Sequence, residues 1–345
     1  MENKRSQGYD EIPIKIIKDN IDILAGPLAY LFNKCVEQSL FPDQLKVARV
    51  LPGGPLSKPA QPAIIEDLRR GDSRIVAGWE AEEGQIPHQV SIRMVRDSGE
   101  VSSCGGSIIH NEWVLTAAHC LANRITFVVR FGLTNLTRPE FLVESTRKFI
   151  HPGYDEIIAG VQTDDIALLG LEHYIPYGKF IQPCRLQSSD QKNIDYTGVR
   201  LTVSGFGRTD DTWNGGVASE VLLWVYLLGI SNEECLRWYP NSNVIKEETI
   251  CAAYYNDTAQ SSCQGDSGGP LTVVDVDGKP TMVGVVSFGS NAGCNSPYPS
   301  GYVRPGHYHQ WFKEVTGIDF DWNSEDLEPI QLDLANEEKL SYINL

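Results

Sequence analysis

Short β-type runs separated by turn residues fill most of this chain, and this pattern constrains the fold more than any other feature. Between residues 75 and 311 the runs include HQVSIRMV, WVLTAAH, TFVVRFG, VRLTVSGFG and TMVGVVSFG, with Gly, Asn and Asp between them. Many short strands without alternating helices predict an all-β fold, either barrels or a sandwich. The chain's 31 glycines and 19 prolines suit such a turn-rich protein. One helical pattern, HYHQWFKEV, follows the last run.

Three regions around this β-rich part differ from it in composition. Residues 1–53 include stretches that look helical, and residues 54–74 are rich in proline and small residues, which is typical of a linker or propeptide. Residues 318–345 contain eight acidic residues and one lysine, which predicts a solvated and disordered acidic tail. We therefore expect one folded domain at 75–317, with an atypical N-terminal extension, a linker and an acidic tail around it.

Charge and cysteine usage argue against several classes of protein. A net charge of −16 disfavours non-specific nucleic-acid binding by the whole chain, and no apolar run is long enough to span a membrane. None of the eight cysteines forms a C-x-x-C pair, so disulfides are a better interpretation than a zinc site. Disulfides imply secretion, although the N-terminus lacks the basic start and cleavage site of a signal peptide. We predict no metal and no cofactor.

Residues 261–270 read SSCQGDSGGP, which places Ser267 among three glycines with Asp266 just before it. One interpretation is a turn, because Gly, Asp, Ser and Pro are common turn residues. The other is a catalytic nucleophile whose neighbouring backbone N–H groups point at a developing oxyanion, which the conformational freedom of glycine permits. This stretch alone leaves the two interpretations equally weighted.

Two further stretches supply the groups that a serine nucleophile needs: LTAAHC carries His119, and DDIALL carries Asp165. Alone, the first is typical of a core histidine and the second of a strand end or a turn. Together with Ser267 they allow histidine to take and return the serine proton while a carboxylate orients the imidazole. GDSGG also matches the G-x-S-x-G pattern of α/β-hydrolases, but their chain order is Ser, acid, His, and here it is His, Asp, Ser.

These motifs resemble those of the chymotrypsin/trypsin family of serine proteases. The resemblance runs from residue 74 to about residue 315 and includes RIVAG, LTAAHC, IHPGYD, DDIALL, SGFG, SSCQGDSGGP and VVSFGS in order. Phe288, where vertebrate members usually have Trp, makes the chain most similar to insect chymotrypsin-type enzymes. The resemblance implies a secreted serine endopeptidase built from two packed six-stranded antiparallel β-barrels with a C-terminal helix. It also implies protein or peptide substrates, protein inhibitors and a monomer, without a cofactor.

The resemblance assigns the catalytic roles to individual residues. His119, Asp165 and Ser267 would form the catalytic triad in the cleft between the barrels. The backbone N–H groups of Gly265 and Ser267 would form the oxyanion hole. The glycines around Ser267 would then serve catalysis rather than a simple turn.

Activation by proteolysis is a further implication of the resemblance. A trypsin-like protease would cut after Arg74, and the new ammonium of Ile75 would pair with Asp266 and order the loop that holds Gly265. The uncut chain would be an inactive zymogen. Activity should be bell-shaped in pH: it should fall in acid as His119 is protonated. It should fall in alkali as the Ile75 ammonium, whose pKa the ion pair raises, loses its proton.

Alignment with the family places five residues in the primary specificity site: Ser261, Ser287, Phe288, Gly289 and Ser300. Ser261 would form a neutral floor, which disfavours the Arg and Lys side chains that an acidic floor would bind. Gly289 and Ser300 would line opposite walls, and the backbone of residues 287–289 would bind substrate as an added strand. We expect a preference for large apolar residues at P1, the residue before the cut bond. A broader elastase- or collagenase-like preference and a non-catalytic homologue are the alternatives.

The resemblance also implies three disulfides: Cys104–Cys120, Cys235–Cys251 and Cys263–Cys294. Cys35 and Cys184 remain, and a bond between them through the propeptide stays open. Asn135 and Asn256 begin N-x-[ST] sequons, either of which could be glycosylated in a secreted protein.

About the first 52 residues resemble the early part of a non-LTR retrotransposon reverse transcriptase. No Tyr-x-Asp-Asp polymerase motif occurs in the chain, so polymerase activity is not implied. We interpret residues 1–53 as a transposon-derived exon joined to a protease gene, and a structured pro-domain is the alternative.

Overall fold

The structure, a computed structural model, describes most of the β-rich part of the chain: residues 78–158, 160–256 and 260–327. All of these belong to one of the two units into which the chain divides, Arg70–Leu345. Several sequence predictions lie outside the described residues. They concern the extension at 1–53, which contains Cys35, the linker at 54–74, which contains Arg74, the predicted new terminus Ile75, and the end of the acidic tail.

Fifteen strands and three α-helices make up the described part. The strands are β1 (Trp79–Glu80), β2 (Gln89–Val95), β3 (Val101–His110), β4 (Trp113–Thr116), β5 (Thr126–Phe131), β6 (Phe141–Ser145), β7 (Arg147–Ile150), β8 (Ala167–Gly170), β9 (Arg185–Leu186), β10 (Arg200–Gly205), β11 (Leu223–Ile230), β12 (Thr249–Tyr254), β13 (Pro270–Val274), β14 (Pro280–Phe288) and β15 (Ser300–Val303). The helices are α1 (Ala118–Leu121), α2 (Asn232–Trp238) and the predicted C-terminal helix, α3 (His309–Thr316).

The strands form two antiparallel barrel-like sheets, as predicted. The first sheet has the order β6-β5-β2-β3-β4-β8-β7. Only Thr146 separates β6 from β7, so one bent segment supplies both edges and the sheet curls on itself as six strand segments. In the second sheet β10, β11, β12, β15, β14 and β13 close a ring of six strands, because β11 pairs with both β10 and β12. Two short strands add to this ring: β1 pairs with β11, and β9 pairs with β14 in the parallel direction.

Alternating burial explains why these runs form barrel walls. In β5, Phe127, Val129 and Phe131 are fully buried, while the residues between them are partly exposed. In β10, Leu201 and Val203 are fully buried in the same alternation. Such a period of two is that of a strand with one face in the core, and burying each large apolar side chain contributes about 1.5–3 kcal/mol.

The three disulfides are present in the structure: Cys104–Cys120, Cys235–Cys251 and Cys263–Cys294. Cys184 is a buried free thiol, and burial raises its pKa to about 12. A thiol in that state is a poor nucleophile. In the sequon at Asn135, the side-chain oxygen accepts hydrogen bonds from the backbone and hydroxyl of Thr137. None of the helices in the described ranges is both long and apolar enough to cross a membrane.

The predicted disorder of the acidic tail is wrong for residues 318–327, which contact the domain, whereas the four acidic residues of this segment are exposed, as the prediction of solvation requires. The Asp321 carboxylate accepts a hydrogen bond from the backbone N–H of Ser189 at 2.9 Å. The ring of Trp322 lies under the Arg185 guanidinium, 4.6 Å from its centroid. Acidic composition suggested disorder, but these side chains find donors and a cationic partner on the protein surface, so the segment contacts the domain while its carboxylates stay exposed.

Candidate active site

His119 and Asp165 meet where β4 and β8 lie side by side. β4 ends at Thr116, opposite Ala167 at the start of β8, so the residues that follow one strand and precede the other emerge together. The Nδ1 atom of His119 lies 2.7 Å from Oδ2 of Asp165, and the backbone N–H of His119 donates to Oδ1 at 2.8 Å. Asp165 therefore holds the ring by one nitrogen and leaves Nε2 free to face a substrate.

The surroundings of His119 move its pKa in both directions. Burial lowers the pKa of the imidazole, whereas the charge and the hydrogen bond of Asp165 raise it, and Arg124 lowers it. The contributions from Asp165 prevail, so the pKa of His119 lies above its ordinary value of 6.5. An imidazole held by a carboxylate at one nitrogen can accept and return a proton at the other.

Ser287 makes a contact that sequence reasoning missed. Its hydroxyl donates to Oδ2 of Asp165 at 2.6 Å, so the carboxylate is held from the second barrel as well as by His119. Asp165 is 3% exposed, and these donors satisfy its charge. The resemblance assigned only the backbone of Ser287 to the site. No local signal marks its hydroxyl, because the two residues lie 122 positions apart in the chain.

Ser267 lies in the tight turn that precedes β13. Gly265 and Gly268 flank it with φ angles of 105° and 77°, which side chains resist. A Cβ at Gly268 would lie 2.0 Å from Oγ1 of Thr116, so glycine is required for close approach as well. The Ser267 carbonyl accepts from the N–H of Gly105 at 2.8 Å, which ties this turn to the first barrel.

Ser267 and His119 lie on either side of the Cys104–Cys120 disulfide. The Sγ atom of Cys120 is 3.8 Å from Nε2 of His119 and 3.6 Å from the carbonyl oxygen of Ser267. The contacts of the described residues include no direct hydrogen bond between the Ser267 hydroxyl and the His119 ring. The structure thus gathers the three predicted triad residues in one place and joins two of them, His119 and Asp165, directly.

The predicted oxyanion donors are unused within the described part of the chain. The N–H groups of Gly265 and Ser267 reach no acceptor there, whereas those of Asp266, Gly268 and Gly269 all donate to backbone carbonyls. Two adjacent free donors beside a serine hydroxyl are suited to binding an oxygen that gains negative charge.

Asp266, the residue before Ser267, is buried, with 1% of its surface exposed. Its carboxylate accepts from the N–H of Gly207 at 2.7 Å and from that of Cys263 at 2.9 Å. Burial raises its pKa to about 6 although these two hydrogen bonds lower it. No cationic side chain among the described residues pairs with it. Its predicted partner, Ile75, and the predicted cleavage site at Arg74 lie outside the described residues.

The five predicted specificity residues line one cavity of about 180 Å³, and so does Ser267. Ser261 and Ser300 are 6% and 5% exposed, and the Ser261 hydroxyl donates to the carbonyl oxygen of Cys294 at 2.6 Å. The cavity floor is therefore neutral, and its hydroxyl is already satisfied by the wall. Lining residues that the sequence analysis did not predict include Gln264, Asn291 and Tyr298.

A larger cavity of about 400 Å³ lies elsewhere, lined by Ile86, Gly132, Arg138 and Phe180 among others. None of the predicted catalytic or specificity residues lines it. The smaller cavity is the candidate active site, because Ser267 lines it.

Two groups of potential metal ligands occur among the described residues. One consists of Cys104, His119 and Cys120, and the other of Asp211, Cys263 and Cys294. Each contains both sulfurs of a disulfide, and it is the thiolate that binds metal. These donor sets therefore favour structural roles for the sulfurs.

Comparisons with known proteins agree with this geometry. The trypsin family model matches residues 75–312. The chain is 37% identical to a collagenase of Hypoderma lineatum over 75% of this chain and 93% of that protein, and 36% identical to trypsin 5G1 of Aedes aegypti over 72% and 87%. The solved structure of HL collagenase covers 71% of this chain and 99% of its own, with a TM-score of 0.63 and 34% identity. This chain belongs to the trypsin family of chymotrypsin-like serine proteases, which are hydrolases.

Proposed function

We propose that this chain is a secreted serine endopeptidase that prefers large apolar P1 residues and is activated by cleavage after Arg74. The observation that carries the proposal is the hydrogen bond between His119 and Asp165. It lies next to a glycine-rich turn that contains Ser267 and the unused N–H groups of Gly265 and Ser267. Three disulfides support an oxidising compartment outside the cytosol. Its partners would be protein or peptide substrates, a trypsin-like activator and protein inhibitors of the same cleft.

In the first half of the proposed reaction, the Ser267 hydroxyl attacks the carbonyl carbon of the cut bond. Since Nδ1 of His119 donates to Asp165, Nε2 is the nitrogen that takes the serine proton. Negative charge then develops on the substrate oxygen, and the N–H groups of Gly265 and Ser267 bind it. One such donor in related sites contributes about 10²–10³ in rate.

In the second half, protonated His119 gives its proton to the leaving amine, which departs and leaves an acyl group on Ser267. Water then enters and attacks the acyl carbon while His119 removes its proton. His119 passes that proton to the departing Ser267 oxygen, which releases the acid and restores both the serine and the neutral imidazole. Asp165 stabilises the imidazolium in both halves, because its carboxylate stays in contact with Nδ1.

The chemistry of the cavity supports an apolar P1 residue. Ser261 and Ser300 bring no charge to it, so an Arg or Lys side chain would lose water without gaining an ion pair. Gly289 leaves one wall open to a large ring. The runner-up is a broader preference, because relatives include a Hypoderma collagenase and a rat chymotrypsin-like elastase, 37% and 32% identical to this chain.

A set of peptide anilides that differ only at P1 tests the proposed preference. After activation with immobilised trypsin, kcat/KM for Phe and Leu should exceed that for Ala by about 10–100-fold, since extra buried methylenes are worth ~1–3 kcal/mol. Arg should be the poorest substrate. Equal or higher values for Ala would favour the broad preference, and a fast Arg substrate would contradict the neutral pocket.

Replacing Arg74 by Gln should prevent activation by trypsin and leave activity about 10²–10³ below that of the activated chain, the loss expected when an oxyanion hole is not assembled. The reason is Asp266: its burial raises its pKa to about 6, no cationic side chain among the described residues pairs with it, and the new ammonium of Ile75 would supply a cation. Activity and the N-terminal sequence of the product are measured together.

Arg70→Gln is the matched control, because it removes an arginine from the same segment. This variant should activate normally and yield a chain that begins at Ile75. Full activity of Arg74→Gln without a new N-terminus would contradict the activation mechanism.

A further inference from the structure

Asp211 is a buried carboxylate that the proposed mechanism does not use. It lies in the loop between β10 and β11 and is 2% exposed. Its Oδ1 accepts from the backbone N–H of Cys294 at 2.7 Å, and its Oδ2 accepts from that of Asn295 at 3.3 Å. Within the ranges that the structure describes, no cationic side chain pairs with it. The carboxylate therefore binds two consecutive backbone N–H groups, which lie 83 and 84 positions further along the chain.

Those peptide groups belong to the wall of the specificity cavity. Gly293 and Cys294 both line the cavity, and Cys294 is joined to Cys263 beside the nucleophile turn. The carbonyl of Cys294 accepts from the hydroxyl of Ser261 at the floor. Cys294 is thus held through its N–H by Asp211 and through its C=O by the floor, which leaves little freedom to the wall.

Gly293 shows how closely the carboxylate approaches this wall. Its φ is +106°, and a Cβ there would lie 2.3 Å from Oδ2 of Asp211. The glycine is needed both for its backbone angle and for the room that it leaves to the carboxylate. A change in the position of the Asp211 carboxylate would therefore shift Gly293 and Cys294 in the cavity wall.

The loop that carries Asp211 is itself closed and anchored. The Asp211 carbonyl accepts from the N–H groups of Asn214 and Gly216, and the N–H of Arg208 donates to the carbonyl of Gln264. Gln264 also lines the cavity, one residue before the predicted oxyanion glycine. The carboxylate is thus presented to the wall by a folded loop.

We propose that Asp211 is a positioning residue for substrate specificity: its carboxylate sets the position of the cavity wall at Gly293 and Cys294 and thereby the fit of large apolar P1 side chains. This inference deepens the proposed function and rests on it. Asp211 would act on KM rather than on the chemical step, because it contacts the wall and neither His119 nor the Ser267 hydroxyl.

The test compares Asp211→Ala and Asp211→Asn with Asp210→Asn in the full chain activated by trypsin. Asp210 is the matched control: it is half-buried, its Oδ1 accepts from the Asp211 N–H, and an asparagine oxygen can do the same. In Asp211→Asn one acceptor is kept, and the new NH₂ faces the N–H of Asn295.

We expect KM for the Phe substrate to rise about tenfold or more in Asp211→Ala and less in Asp211→Asn. In both variants kcat should change less than threefold and the Ala substrate should be little affected.

A binding measurement separates this inference from the proposed function. Indole, a small aromatic probe of the cavity, is bound to activated protein in the Ser267→Ala background, where no turnover is needed. Its dissociation constant should rise about tenfold with Asp211→Ala, rise less with Asp211→Asn and stay unchanged with Asp210→Asn. If the wild-type chain fails to cleave any peptide, the proposed function fails, and the indole series still decides the role of Asp211.

Unchanged Phe-to-Ala selectivity together with unchanged indole affinity in Asp211→Asn would overturn the inference while the protease function stands. An equal loss of kcat on every substrate would do the same, because it would indicate a general structural role. If Asp211→Ala does not fold, as judged by active-site titration and thermal unfolding, Asp211→Asn decides the question by the same criteria.

Discussion

Replacing Ser267 by alanine should lower kcat/KM for the best peptide substrate by about 10⁵–10⁶-fold, which is the loss seen when the nucleophile of a serine triad is removed. The change removes one oxygen from a half-buried position and leaves the turn intact, because the turn is held by Gly265, Gly268 and the bond from Gly105. Residual activity should come from substrate binding and the two free N–H groups. The measurement is kcat/KM on activated chains.

Ser98→Ala is the matched control for this change. Ser98 is exposed in the turn between β2 and β3 and does not line the cavity that contains Ser267, so its replacement should leave kcat/KM unchanged. An inhibitor that acylates active serines should label the wild-type and Ser98→Ala chains and spare Ser267→Ala. A Ser267→Ala chain that keeps more than a hundredth of the wild-type rate would remove Ser267 from the role of nucleophile.

Asp165→Asn should lower kcat by about 10⁴, the effect that this change has in a trypsin-type triad. The contacts explain the loss. The backbone N–H of His119 donates to Oδ1, so the amide oxygen will take that place and the NH₂ group will take the place of Oδ2. There it faces Nδ1 of His119 and the hydroxyl of Ser287, which both donate to Oδ2 in the wild-type chain. An NH₂ that donates to Nδ1 forces the ring proton onto Nε2, and Nε2 can then no longer act as the base.

The same variant should shift the acid limb of the pH profile to lower pH. Catalysis needs the neutral imidazole, so activity is lost as pH falls through the pKa of His119. Burial lowers that pKa, and the charge of Asp165 raises it above 6.5. Without the charge the contribution of burial prevails, so the limb should move below 6.5. The measurement is kcat/KM between about pH 5 and pH 8, the range in which a histidine titrates.

Asp164→Asn provides the control for charge. Asp164 precedes Asp165, has a φ of 57° that asparagine tolerates, and accepts a bond from the Tyr308 hydroxyl that an amide oxygen can also accept. Its replacement should leave both kcat and the acid limb in place. An acid limb that stays in place in Asp165→Asn would mean that another group sets the pKa of the catalytic base.

Local patterns predicted the strands and the motifs well, for a physical reason. Strand runs with one buried face must alternate, as β5 does with Phe127, Val129 and Phe131, and turns must use residues that tolerate their backbone angles. The glycines around Ser267 are such a case: two of them have positive φ, and one faces the Thr116 hydroxyl at a distance that no side chain allows. These requirements act within a few residues and can therefore be read from the chain.

Composition failed where charge was taken to mean disorder. Residues 318–327 are acidic, but Asp321 bonds to Ser189 and Trp322 packs under Arg185. A sum of charges does not show which donors and cations the folded surface presents to a segment. The acidic tail was therefore predicted as disordered from its first residue, whereas its first ten residues contact the domain and are partly or fully exposed.

By itself the sequence determined the all-β architecture, the identity of the triad candidates and their chain order, since each depends on local residue patterns. The tertiary structure alone decided that the Ser287 hydroxyl holds Asp165 from 122 residues away, and that Asp211 holds the cavity wall at Cys294 from 83 residues away. Such bonds exist only after strand pairing and loop packing have brought distant segments within about 3 Å, and no local preference encodes that approach.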